Sequence, residues 1–553
     1  MVAHEPELAP GLRPWMGALA LCAVLYALVV VVVEWDFLPW IRSYPLDTRW
    51  VVCSSVDKLD ELQSALDFPA SFRNTLALLG ADLTSVQARP DFNLLPKLLI
   101  WLAASVLPSI LAYNLLVLAT WVGNGVAVAA LVLQITRMRA PALLAGFLFA
   151  FSPFWFAVLH CRSLDYGLFL LVPLTLSALF ALRRRWSWVR VLWLAVLGAS
   201  LLLSQQYYAF GLVLVALPWL IGALLGGPLG DRTTGRGRLI LGVLVAAVGA
   251  ALLLSPWLII EWRMLAVQHV AVTVADDNAG RSFFQPMLVS GVGGDPILGL
   301  VWTGIVATLA LVGALAGPKR WRLERGVLGL GIVALVLAQH GISSHVQAVS
   351  QFLWDLPVLW RVRSCRLFAT LVVFLGATMA GVGLASVLSR VRVAWGRWCV
   401  IVLVTALCGL SLARADAWWK QGCVAHVRTL WFPEDVLDRI TSMGSPPHMV
   451  VLPRFEHKPA LAQSVESFLE LRTGVPLSPP SEHDALRARL RDGGSLDFRN
   501  CTLLVIETGM LEAGGDDDAM ATLERLGFSD LLFQDLSWTI AYTKTCSSYY
   551  PLD

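Results

Sequence analysis

The sequence predicts an all-α polytopic membrane domain over residues 1–413, followed by a small α/β domain over residues 414–553. Three observations carry that prediction. The chain is 57% hydrophobic and 15% charged, with a mean hydropathy of +0.68, far from the balance of a soluble domain. Apolar runs of roughly 18–24 residues recur, each long enough to cross a bilayer as a helix. Beyond Trp419 the hydrophobicity drops and the charges rise. The net charge of +3 does not point to nucleic acid, because the basic residues lie in short clusters between apolar runs.

Those clusters fix the predicted topology. They fall at Arg137/Arg139, Arg183-Arg184-Arg185/Arg190, Arg232/Arg236/Arg238, Lys319-Arg320/Arg322/Arg325 and Arg390/Arg392/Arg397. Short loops rich in Lys and Arg stay in the cytoplasm, and two apolar spans separate successive clusters. Spans are predicted near 16–33, 112–135, 141–159, 166–182, 188–204, 207–226, 238–260, 297–316, 326–340, 367–389 and 395–413. That makes about eleven helices, with the N-terminus cytoplasmic and the C-terminal domain outside. The first run lacks a small-residue cleavage site and reads as a retained anchor. Residues 94–110 are also apolar, but counting them as a span would invert every later cluster. With Pro96 and Lys97 near its start, the segment reads as a helix along the membrane surface or partly re-entrant.

The outer side then carries a long first loop, residues 34–113, with helix-like stretches at Val56–Leu66 and Phe72–Leu79. It also carries the turn His160–Asp165 and two longer loops, Glu261–Ile297 and Gly341–Arg366. In the tail, His448–Pro453, Cys501–Glu507, Leu531–Asp535 and Trp538–Lys544 read as strands. Lys458–Leu471, Glu482–Arg491 and Asp517–Leu526 read as helices. Cys22, Cys399 and Cys408 fall in spans and read as packing residues. Cys53, Cys161, Cys365, Cys423, Cys501 and Cys546 fall outside. Cys501 and Cys546 lie at strand ends within one domain and are the favoured disulfide, with free thiols as the alternative. No Cys or His spacing matches a zinc site.

The most informative residues are Glu34 and Asp36, in Glu34-Trp35-Asp36 at the outer end of the first span. This layout resembles the GT-C superfamily of membrane glycosyltransferases: a first span, an outer loop opening on an acidic motif and carrying surface helices, then many spans. The resembling residues are Glu34-Trp35-Asp36, Asn93-Leu94-Leu95-Pro96-Lys97, and the turn His160–Asp165 after Phe151-Ser152-Pro153-Phe154. The stretch Leu356–Phe368 and the soluble tail resemble those of uncharacterised bacterial GT-C-like proteins. The resemblance implies a polyprenyl-phosphate sugar donor, membrane lipids as surroundings, and an acidic residue of the first outer loop acting as general base or helping to hold a divalent cation such as Mg or Mn. Glu34 and Asp36 are the residues it would place at that cation.

A carboxylate within hydrogen-bond reach can take the proton an acceptor hydroxyl loses as it attacks the anomeric carbon. The leaving group is a lipid phosphate, which Arg361, Arg363 and Arg366 can clamp in bidentate fashion. His160 and Lys97 are further candidates at that headgroup. Each feature has a plainer alternative. Glu34 and Asp36 also fit a membrane edge marked by Trp35 and Trp40. Asp47 is a rival catalytic acid, or an ion-pair partner of Arg49. Asp165 is a candidate acid, or a favourable charge at a helix start. His160 also suits a helix cap, and the arginines suit ordinary anionic headgroups. Gln205–Tyr208 reads as a tight turn with an aromatic belt, or part of a sugar site, and Asp276-Asp277-Asn278 as a solvated turn, or a metal ligand set. The competing class is a transporter, flippase or scaffold for envelope polysaccharide or lipid. That class should show charged or broken-helix positions near the bilayer midplane, whereas the ionisable residues here crowd the outer rim. High Ala, Leu, Val, Gly and Arg usage suits a bacterial inner membrane protein with its C-terminal domain in the periplasm.

Overall fold

The computed structural model describes residues 13–35, 37–42, 61–79, 93–152, 155, 164–225, 235–267, 296–316, 326, 328–329, 332, 366–391, 393–424, 434–442, 448–452, 469, 502–507, 523–524, 528–534 and 538–543. Among them, five helices are long and apolar enough to cross a bilayer: Trp15–Val33, Ser109–Thr136, Gln206–Ala223, Arg236–Leu253 and Thr370–Arg390. The chain is a mostly helical, multi-pass membrane protein.

The first helix, α1 (Arg13–Val33), is followed by a helical stretch at 61–66 and by α2 (Phe68–Ala77). Helix α3 (Leu94–Ala104) has 11 residues and rises about 16 Å, short of the ~30 Å hydrocarbon layer. It ends in a turn before Pro108, whose extended backbone (φ −52°, ψ 136°) opens α4 (Ser109–Thr136). Arg137 closes α4 in the left-handed region (φ 59°), its N–H on the Leu133 carbonyl at 2.8 Å. That αL residue turns the chain directly into α5 (Arg139–Ala150).

Within the predicted span 141–159, α5 ends at Ala150, ahead of Pro153, which cannot donate to continue a helix; the Ser152 hydroxyl accepts the N–H of Trp155, itself helical, at 3.0 Å, and residues 156–159 lie outside the described residues. The predicted span 166–182 is divided. A four-residue helix, α6 (Leu164–Gly167), precedes α7 (Leu171–Arg184). Helix α8 (Trp188–Ser204) starts on a Ser187 cap accepting from the Arg190 N–H. Next come α9 (Gln206–Leu225), α10 (Arg236–Leu253) and α11 (Ser255–Val267). The predicted span 238–260 breaks at Leu254, before Pro256. Helices α12 (Pro296–Ala316), α13 (Arg366–Arg390) and α14 (Ala394–Val424) complete the described bundle, and α14 runs well past its predicted end at 413.

Helix α13 is the centre of the bundle. In its span 94% of the residues are buried inside the protein, against 22% in α1 and 17% in α10. It packs against α12, α5, α4 and α9. The α12–α13 crossing is backbone on backbone: a Cβ at Gly383 would fall on the Leu309 carbonyl, and one at Gly313 on the Met379 carbonyl. Small residues at such a crossing let dispersion and weak hydrogen bonds act where lipid removes the hydrophobic drive. An aromatic cluster of Phe149, Trp155, Phe169, Tyr208 and Phe374, with ring centroids 4.9–6.0 Å apart, fills the space between α5, α9 and α13. Cys22 is buried as expected of a packing residue, whereas Cys399 is exposed on α14.

In the tail, α15 (Glu434–Ser442) buries Val436, Leu437 and Ile440 on one stripe. Strands β1 (His448–Leu452), β2 (Thr502–Glu507), β3 (Phe528–Gln534) and β4 (Trp538–Thr543) form one sheet in the order β1-β2-β4-β3. β1 and β2 are parallel, and the other pairings are antiparallel. Leu504, Val505 and Ile506 are all buried in succession, the mark of a central strand covered on both faces.

Candidate functional site

Glu34 sits immediately beyond α1 and is 5% exposed. Its N–H still bonds the Val30 carbonyl at 2.8 Å, and its own carbonyl accepts from Phe37 and Leu38 at 2.9 and 3.1 Å. The chain therefore folds back at once into the 3-10 turn Leu38–Trp40. A buried carboxylate at a helix C-terminus stands at the negative end of the macrodipole, an arrangement disfavoured by about 0.3–1 kcal/mol. The last turn of α1 holds no basic residue to offset it.

The peptide after Glu34 is tied down by α4. The Asn114 side-chain amide donates to the Ile41 carbonyl at 2.7 Å. Next to it, the Tyr113 hydroxyl lies 3.2 Å from Oε2 of Glu61, and that same oxygen accepts the Leu164 N–H at 2.6 Å. Glu61, Tyr113 and Asn114 are all buried. The start of α4 thus gathers three pieces of chain far apart in sequence: the turn after α1, the helical stretch at 61–66, and α6, whose backbone carries Asp165. Helix α3, with Lys97 half-buried on it, packs against both α4 and α6. Helix α2 is wedged beside α3 by Phe68 on Trp101 (6.1 Å) and beside α11 by Phe72 on Trp257 (5.6 Å). Arg263 of α11 donates to the Leu78 and Leu79 carbonyls at its end.

Among the predicted site residues, Glu34 and Lys97 are described in full, and Asp165 and Arg366 as backbone only, in α6 and at the first position of α13. Asp36, Asp47, His160, Arg361, Arg363, Cys501 and Cys546 lie outside the described residues. Among the described residues, no three His, Cys, Asp or Glu side chains group as a metal site would require. The sequence reading missed Glu61, Tyr113 and Asn114. A signal for the last was present, since an Asn inside an apolar span is expensive unless it has work to do. Glu61 was hidden among the other carboxylates of a polar loop.

The fold has clear relatives among solved structures. The undecaprenyl-phosphate-bound structure of ArnT from Cupriavidus metallidurans superposes with a TM-score of 0.50 at 13% identity, over 94% of this chain and 97% of ArnT. The arabinofuranosyltransferase AftD from Mycobacteria gives 0.52 at 16% identity, over 90% of this chain but 35% of AftD. The archaeal oligosaccharyltransferase AglB from Archaeoglobus fulgidus, solved with an inhibitory peptide and a dolichol-phosphate, gives 0.50 at 12% identity over 91% and 70%. The chain has the GT-C fold. The expected resemblance thus holds at the level of architecture across nearly the whole length. No protein-family model matches the chain, and no curated protein matches it in sequence.

Proposed function

We propose that the protein is an integral membrane glycosyltransferase that moves a sugar from a polyprenyl-phosphate donor to an envelope glycan, lipid or protein acceptor on the outer face. The observation that carries this reading is the convergence, on the start of α4, of the peptide following Glu34, the outer stretch with Glu61, and the helix holding Asp165. The GT-C fold supports it, since solved relatives of that fold hold undecaprenyl phosphate or dolichol-phosphate.

In this reading Glu34, or Asp36 two residues on, accepts the proton of the acceptor hydroxyl as its oxygen attacks the anomeric carbon. The bond from that carbon to the lipid phosphate breaks, and the phosphate leaves with the charge. Arg361, Arg363 and Arg366, preceding and opening α13, neutralise it, with Lys97 and His160 at the headgroup. Asp47 and Asp165 are the rival acids. The eleven-helix count, the α/β domain at 414–553 outside the membrane, and the bacterial inner membrane belong to the same proposal.

The test is sugar transfer by the purified full chain in lipid nanodiscs. Donors are radiolabelled undecaprenyl-phosphate glucose, mannose, galactose and arabinose, assayed with Mg, with Mn and with EDTA. Variants are Glu34→Gln, Asp36→Asn, Asp47→Asn and Asp165→Asn. Loss of transfer in one or two folded variants names the base, and the EDTA arm decides whether Glu34 and Asp36 also hold a cation. A wild type that transfers none of these sugars puts the transporter or scaffold class ahead.

A further inference from the structure

The four residues of α6 are held in an unusual way. A helix this short satisfies few of its own backbone groups. In the apolar layer, irregular backbone survives only where protein side chains serve it. Three side chains from three elements do so here. Oε2 of Glu61 accepts the Leu164 N–H at 2.6 Å. The Tyr208 hydroxyl of α9 donates to the Tyr166 carbonyl at 3.2 Å. Nδ2 of Asn124 in α4 donates to the Gly167 carbonyl at 2.8 Å. Glu61 is 7% exposed, and Asn124 and Tyr208 are fully buried.

The Gly167 end of α6 is bound to α4 directly through Asn124, and the Leu164 end indirectly, through Glu61, which the Tyr113 hydroxyl of α4 also meets. Tyr113, which meets Glu61 at the Leu164 end, and Asn124, at the Gly167 end, are eleven positions apart, close to three whole turns. They share a face and lie about 16 Å apart along the axis. The four residues of α6 rise only about 6 Å, so the Glu61 side chain spans the remaining distance to Tyr113. A carboxylate and a carboxamide buried in a membrane domain are costly unless their hydrogen bonds are needed, and these serve the backbone on either side of Asp165.

We infer that Glu61, Asn124 and Tyr208 form a cradle of positioning residues that fixes the α6 peptide, and with it the backbone of Asp165. This assignment rests on the glycosyltransferase reading for its catalytic consequence and on the hydrogen bonds alone for its structural one. The two are separated by experiment. Hydrogen–deuterium exchange is measured on the full chain in nanodiscs, without substrate, for wild type, Glu61→Gln and Glu61→Leu. The Gln amide oxygen still accepts an N–H, whereas Leu keeps the bulk and loses the acceptor. Exchange at Leu164 is expected to rise at least about tenfold in Glu61→Leu only, with α13 unchanged. Unaltered protection at Leu164, or loosening that spreads through α13, overturns the cradle.

Transfer kinetics supply the second arm. Glu61→Leu is expected to lower kcat by about 10- to 100-fold with donor KM nearly constant, as a misplacement of about 1 Å does. Glu61→Gln should restore most of it. The double variant Glu61→Leu with Asp165→Asn should be no slower than Asp165→Asn alone, because one residue acts through the other. Multiplying losses, or full transfer despite an unprotected Leu164, overturn the positioning role. If the wild type transfers no sugar, the glycosyltransferase reading falls, and the exchange data still decide whether the cradle holds the turn.

Discussion

Gly146→Ala tests how α1 is held, and so how Glu34 is placed. A Cβ at Gly146 in α5 would fall on the Gly125 carbonyl of α4 and on the Tyr26 hydroxyl of α1. Gly125 is itself under the Tyr26 ring, whose carbons would lie 2.9 Å from a Cβ there. The Tyr26 hydroxyl also donates to the Leu143 carbonyl at 2.5 Å, bridging α1 to α5. Three contributions set the sign. Replacing a mid-helix Gly gains about 1 kcal/mol in propensity. Overpacking against a helix carbonyl that cannot move alone costs about 1–3 kcal/mol. Displacing Tyr26 from Leu143 costs about 1 kcal/mol more. The net is a loss of about 1–3 kcal/mol, once the propensity gain is set against the hydrogen bond. Gly17, on α1 with nothing within 4 Å of its Cβ position, is the control and should be neutral or stabilising as Ala. Thermal unfolding in detergent, followed through the chain's 23 tryptophans, reads both. Tyr26→Phe removes one of the two collisions, so combining it with Gly146→Ala should be less than additive. A Gly146→Ala protein as stable as wild type, or a Gly17→Ala protein equally damaged, would refute the packing argument.

Three further outcomes are expected. Asn114→Leu strips the Ile41 carbonyl of its donor and should cost about 1–2 kcal/mol. It should also lower sugar transfer more than its small melting shift explains, because it frees the peptide following Glu34; unchanged kcat would count against that link. Arg263→Met removes the donor at the end of α2 and should raise amide exchange around Leu78 and Leu79, with a change in global stability below about 1 kcal/mol; no local change would show the contact to be dispensable. The β2–β4 register, Leu503 opposite Tyr542, brings together the strand ends nearest Cys501 and Cys546. Non-reducing peptide mapping should therefore recover those two cysteines as a linked pair, and alkylation of both without reductant would exclude it.

The parts of this molecule legible in the sequence are those governed by period and by turn chemistry. Apolar runs of bilayer length announced α1, α4, α9, α10 and α13, and β-rich runs announced the four strands to within a few residues. Boundaries failed where one residue overrode a long apolar run. Pro153 and Pro256 divide stretches whose hydropathy reads as continuous, and α14 extends past 413 because hydropathy falls there while helix-forming residues continue. The acidic motif at Glu34 could be found because it ends a span. Glu61, Asn114 and Asn124 could be assigned no role, because each acts on a backbone group 43 to 103 residues away or, for Asn114, 73 residues away in the preceding loop. Such long-range partners leave no periodic trace.

The two functional classes ask different things of the polar side chains. A transporter needs polar groups near midspan that a permeant species can use. Along α4 the described polar side chains are directed at the protein itself. Asn114 serves Ile41, Thr120 serves Val117, Asn124 serves Gly167, Gln134 serves Ser177 and Thr136 serves Val132. The helix holds separated pieces of chain against one another, which is what the proposed transfer reaction requires, since a base contributes only when it is kept within hydrogen-bond reach of the proton it removes. A transport pathway lined by this face of α4 would demand that Asn124 release Gly167 as cargo passes. Exchange measured with donor and acceptor present bears on both classes: Gly167-side amides that stay protected during sugar transfer fit a fixed platform, and amides that open in each cycle fit a gate.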